Sequence, residues 1–166
     1  MERTKPQGAQ LREAYVPSRR MRLASDVSSA CAALLLVGLV GTAFTWWGPS
    51  PFFDLARNSL QTIKIDPGFL VGPALILIVL PLTFGRRRQL ALKRYFRPRL
   101  VIAAVLWLAG LWALIARLAV LDSSYTIETG AYVSAGLLLA GFVSTLAMWP
   151  GEPPVVEVNR KGLVPD

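Results

Sequence analysis

The chain has no histidine and a single cysteine, Cys31, in 166 residues. Without histidine, a bis-His haem, a His-ligated metal and a histidine general base are excluded. One cysteine inside an apolar run leaves no intramolecular disulfide, no Cys-rich metal site and no CxxC redox relay. Cys31 reads instead as a small buried hydrophobe. Acids are also scarce: Asp and Glu total ten against eighteen Lys and Arg, and every acid falls outside the long apolar runs or at their edges. A proton-coupled transporter needs an ionisable group within the membrane. The one such side chain inside a run is Arg117, which stays charged at working pH. No Walker loop, dinucleotide fingerprint or nucleophile elbow occurs. An enzyme acting alone is not expected, and neither is a cofactor or a metal.

What the chain does have is apolar residues in blocks. It is 54% hydrophobic and 17% charged, and the charges are collected between uncharged stretches, as in a membrane protein. The net charge of +8 is concentrated in residues 1–26 and 85–99. Anionic lipid headgroups are the expected partner of that excess, and nucleic acid is not.

Four apolar runs predict an all-α integral membrane protein with four transmembrane helices, since about 20 residues at ~1.5 Å each cross the hydrocarbon core. The domain layout is a basic cytoplasmic tail over 1–26, a four-helix transmembrane domain over 27–149 and an extended cytoplasmic tail over 150–166. Spans are expected at about 30–47, 68–84, 100–121 and 130–149. Trp46 and Trp47 mark the outer end of the first, where indole rings settle at headgroup level. Ser18-Arg19-Arg20-Met21-Arg22-Leu23 is similar to the opening of a twin-arginine export signal, except that Arg22 stands where that pattern has a bulky apolar residue. Cleavage is not expected, because the run that follows is long enough to span.

Orientation follows from the cations. Arg86, Arg87, Arg88, Lys93, Arg94, Arg97 and Arg99 crowd one turn, and with both tails on the same side fifteen of the eighteen cations are cytoplasmic. Lys and Arg near span ends are retained inside, so N and C termini are both placed in the cytoplasm. Arginine outnumbers lysine fourteen to four, a compositional hint of a GC-rich genome and hence of a bacterial inner membrane.

Several residues are candidate lipid or partner contacts. Phe53, Ala56, Leu60 and Ile63 recur at helical spacing, which predicts a short extracytoplasmic helix lying in the interface plane with Leu60 and Ile63 on its apolar face. Pro73 and Pro81 are expected to kink the second span. Arg117, about one turn from the end of the third span, can snorkel to the headgroups and pair with Asp122 or Glu128; alternatively it contacts lipid phosphate or an acidic partner residue. The basic turn, Arg86 to Arg99, offers the same chemistry. Small residues suit helix packing in lipid, notably Ala109 and Ala113 on the third span and Gly136, Ala140, Gly141 and Ser144 on the fourth, so these two spans should pair. Pro153–Val158 alternates in a way that could add a strand to a partner's sheet.

With no chemistry of its own, the chain reads first as a non-catalytic accessory subunit. It would stabilise a larger transport or respiratory complex, with other integral subunits and a cytosolic component as partners. The rival reading is a small oligomeric carrier for lipid or hydrophobic solutes, and a third is a membrane assembly factor.

Overall fold

The computed structural model describes residues 12–43, 54–64, 71–83, 91–149 and 154–158. Four helices carry the fold: α1 (Arg19–Ala43), α2 (Val71–Thr83), α3 (Lys93–Ala119) and α4 (Thr129–Ala147). Each packs on its neighbours in sequence, and α4 closes the ring on α1. Three of them, α1, α3 and α4, are long and apolar enough to cross a bilayer. α2 is a shorter apolar helix; its 13 residues span only ~20 Å at ~1.5 Å per residue, less than the ~30 Å hydrocarbon core.

The burial pattern explains the ring. α3 buries Phe96, Leu100, Ala103, Trp107 and Leu114, and α4 buries Ala131, Ser134, Leu138, Gly141 and Thr145, with Met148 buried at its C-cap. Steps of three and four residues put one stripe of each helix on a common seam, the packing of left-handed bundles. α1 does the same with Met21, Ser25, Ser28, Ala32 and Leu35, and α2 with Ile76 and Leu80.

Two of the helices, α1 and α3, begin well before the apolar runs do. Pro17 lies just outside α1, and Ser18 caps it: Ser18 Oγ accepts from the Met21 amide at 3.2 Å. That satisfies one of the amides a helix start leaves unpaired, so residues 19–26, expected to lie in a tail, are helical. Likewise α3 starts at Lys93, inside the basic turn, and carries Pro98 within its early turns. Pro81 lies inside α2, whereas Pro73 is in its first turn, where a missing N–H goes unused. Trp46, Trp47 and Arg86–Arg88 lie outside the described residues.

Among the described residues the four expected helices are joined by six short strands in two antiparallel sheets, one at each end of the bundle, so the all-α expectation holds only in part. At one end β1 (Arg12–Tyr15) lies between β4 (Ala91–Leu92) and β6 (Val155–Val158). The segment expected to lend a strand to a partner therefore pairs within the chain, Ala14 with Val156 and Tyr15 with Val155. Tyr15 then meets Phe96 edge-on, ring centroids 5.6 Å apart, and ties this sheet to α3.

At the other end β2 (Asp54–Arg57) lies between β3 (Thr62–Lys64) and β5 (Thr126–Ile127). Over the described residues 54–64 the expected interface helix is not formed. Asn58 is the reason: its Oδ1 accepts from the amides of Leu60 at 2.9 Å and Gln61 at 2.6 Å, and its own amide donates to the Gln61 carbonyl at 2.9 Å. A side chain that bonds the backbone two and three residues on favours a turn over a helix. β-branched Thr62 and Ile63 then pair with Arg57 and Ala56, and β5 completes the sheet from the α3–α4 connection. The near-helical spacing was coincidental.

Candidate functional site

α3 and α4 approach closely because glycine allows it. A Cβ on Gly141 would lie 2.3 Å from the Trp107 ring, and one on Gly110 would lie 2.9 Å from Leu138 Cδ2. Trp107 thereby reaches a buried polar knot. Its Nε1–H is shared between Ser28 Oγ at 3.2 Å and Thr145 Oγ1 at 3.1 Å, and the two hydroxyls lie 3.1 Å apart. Thr145 Oγ1 also donates to the Gly141 carbonyl at 2.9 Å. In lipid the indole N–H has no water to turn to, so this knot fixes α1, α3 and α4 in register.

Toward α2 the same helix is open. A cavity of about 630 Å³ runs along α3 from Leu106 to Val120, ~21 Å of helix axis at ~1.5 Å per residue. Buried Leu35, Leu55, Ile76, Trp107 and Leu138 line it. Gly72 and Pro73 of α2 and Ala109 and Gly110 of α3 also line it. The lining is almost wholly apolar, and its polar members are Ser134 and Arg117. The size suits a ligand site, which is typically about 300–1,000 Å³.

Arg117 is exposed at the mouth of this slot. The expected ion pair with Asp122 or Glu128 is absent among the described residues. Asp122 instead turns its carboxylate to the Ser124 amide, 2.6 Å away. That bond, followed by one from the Ser124 side chain, holds the Asp122 carboxyl below the usual carboxylate range.

The other sequence candidates are dispersed. Ala109 and Ala113 line the slot from α3, and Gly141 lies under Trp107. Gly136 and Ala140 are exposed and Ser144 is half-buried; a Cβ on Gly136 would meet nothing within 4 Å. Leu60 is at the hairpin tip, 93% exposed, while Ile63 is half-buried in β3, so the two share no face. Arg94 and Arg97 are exposed at the start of α3, and Arg94 and Arg99 flank the Tyr95 ring at 5.7 and 5.2 Å. Arg99 also donates to the Leu82 carbonyl near the end of α2, where a cation suits the negative helix terminus. Lys93 opens α3.

Sequence reasoning missed Trp107, Ser28 and Thr145 as a unit. The available signal was an indole mid-span with hydroxyls on neighbouring runs. It also missed Asp54, which is buried with Oδ1 lacking a hydrogen-bond partner. Its backbone packs on the first turn of α4, where a Cβ on Gly130 would lie 2.2 Å from the Asp54 carbonyl oxygen. Among the described residues no cluster of potential metal ligands occurs.

Three helices able to cross a bilayer and an outer surface exposing Val37, Ile78, Ile102, Trp112 and Val143 define the class: an integral, multi-pass membrane protein. No family model, curated protein or solved structure matches the chain.

Proposed function

We propose that the chain is a non-catalytic membrane protein whose working element is the slot beside α3, where it holds an apolar ligand drawn from the bilayer. The observation that supports this reading is a cavity of about 630 Å³ that reaches from exposed Ala109 and Ala113 to buried Leu35 and Trp107. A packed bundle has few voids larger than a water molecule, so a space of this size calls for an occupant. The test is purification in mild detergent followed by mass spectrometry of bound lipid, with Ala113→Leu as the filled variant. Wild type should retain lipid that the variant loses; equal retention would refute the reading.

The accessory-subunit reading is favoured by a different observation. Ala109, Ala113 and Ala116 are exposed at helical spacing, and small residues let another helix approach closely. Stoichiometric co-purification with a larger complex, lost in Ala113→Leu, would establish it.

For placement, we propose a bacterial inner membrane with both termini cytoplasmic. The basis is the charge split, since Arg19, Arg20, Arg22, Arg94 and Arg97 are exposed at the β1–β4–β6 end. In a Cys31→Ser background, a cysteine at Ser124 should react with an impermeant maleimide added to intact cells. One at Arg94 should not. The opposite pattern would invert the protein.

A further inference from the structure

We infer that the ligand is a lipid with an anionic, phosphate-bearing headgroup, held by Arg117 with its chain running down the slot toward Trp107 and Leu35. This rests on the ligand-holding reading above and adds the chemistry of what is held. The slot is elongated along α3, and its shape suits an acyl chain. A partner helix, about 10 Å across with its side chains, packs on a small-residue stripe but does not enter as far as Leu35, Ile76 and Trp107.

Charge sets the other end. Arg117 and Val120 line the slot at the last turn of α3, beside the β2–β3–β5 end, and Leu106 and Trp107 line it about three turns away. Arg117 makes no hydrogen bond or ion pair among the described residues. A guanidinium near a membrane span without a counter-ion is unfavourable. Phosphate oxygens match its planar fork through two parallel N–H···O bonds. With the cation at one end and apolar walls beyond it, headgroup and chain have only one sensible direction of entry: sideways from the leaflet at the β2–β3–β5 end.

The experiment is native mass spectrometry of the full chain released from nanodiscs of mixed phosphatidylglycerol and phosphatidylcholine. Four forms are compared: wild type, Arg117→Gln, Arg117→Lys and Ala113→Leu. Wild type should carry one tightly retained lipid with a preference for phosphatidylglycerol of about tenfold, the scale of one charge-assisted contact. Arg117→Gln should keep the lipid but lose most of the preference. Arg117→Lys should keep part of it, and Ala113→Leu should lose the lipid itself. The arginines at the opposite end are the same in all four forms, so their pull on anionic lipid cancels. If Arg117→Gln retains the full preference while Ala113→Leu loses lipid, the headgroup assignment falls and the ligand-holding reading stands. If no variant changes lipid retention, or a co-purified polypeptide takes the place of lipid, both fall.

Discussion

The two faces of α3 use small residues to opposite ends. Toward α4, Gly110 and Gly141 remove the side chains that would hold the helices apart, and Leu138 and Trp107 fill the space. Toward α2, Ala109 and Ala113 also remove bulk, and there they line the slot together with Gly72, Pro73 and Ile76 of α2. In lipid, apolar burial does not drive helices together; close fit and interhelical hydrogen bonds do. The same residue type therefore lines a close-packed seam on one face and an open slot on the other. Stability belongs to the first face, and the second carries the slot in which we propose that a ligand is held.

The sharpest way to break this division is Gly141→Leu. Any side chain here starts 2.3 Å from the Trp107 ring, and the indole is itself held by two hydroxyls, so the helices must part. Overpacking of this kind costs about 1–3 kcal/mol, sometimes more, and thermal unfolding in micelles should show a large drop in midpoint. Ala113→Leu should leave that midpoint within about 0.5 kcal/mol of wild type, as expected at an exposed site, while emptying the slot. If the two variants destabilise equally, α3 has no functional asymmetry.

A smaller effect is expected at the polar knot. Thr145→Val keeps the shape but removes an acceptor from Trp107 Nε1 and a bond to the Gly141 carbonyl. Interhelical hydrogen bonds in membranes average about 0.6 kcal/mol with a maximum near 1.7. Since Ser28 Oγ still accepts from the indole at 3.2 Å, the loss should sit toward the lower figure. Ser28→Ala combined with Thr145→Val should exceed the sum of the single changes, because only the pair orphans the indole N–H. Strict additivity would show that the knot is not a unit.

How much of this was legible beforehand depended on the range of the cause. The apolar runs are local and strong, and they lead to the four helices. Cap chemistry is local too: Pro17-Ser18 marks the start of α1 once proline is read as standing outside the helix, not as breaking it. The hairpin at Asn58 failed because four apolar residues at near-helical spacing outweighed an Asx turn and β-branched Thr62 and Ile63. Those strands also depend on β5, which pairs Ile127 with Ala56 and Thr126 with Arg57 across a long stretch of sequence. Pairing of β6 with β1 was out of reach for the same reason, since alternation shows a strand but not its neighbour. For the slot, Ala109, Ala113 and Arg117 were recognisable as small or charged positions. That they border one cavity is a matter of packing between helices that no single stretch encodes. Gly136 and Gly141 show the limit most simply: each is a small residue on α4, and only the three-four register places Gly141 under Trp107 and Gly136 outside.

The smallest predicted effect lies beyond either face of α3, in the turn that follows it. Asp122 is fully exposed, and its carboxyl is held below the ordinary value, about 3.9, mainly by the Ser124 amide and secondarily by the Ser124 side chain. A depressed folded-state pKa means that the folded turn prefers the carboxylate. Its contribution is complete above the ordinary value and is lost as pH falls through the lower folded one. The Ser124 amide resonance should therefore titrate in acid with a midpoint below that of an unstructured aspartate, and Asp122→Ala should abolish the titration without moving the thermal midpoint measurably. A Ser124 midpoint at or above the ordinary value would show that this turn does not hold the carboxylate. Arg117 would then have a free anion within a few residues, and Asp122→Ala should weaken its hold on the helix end instead of leaving it untouched.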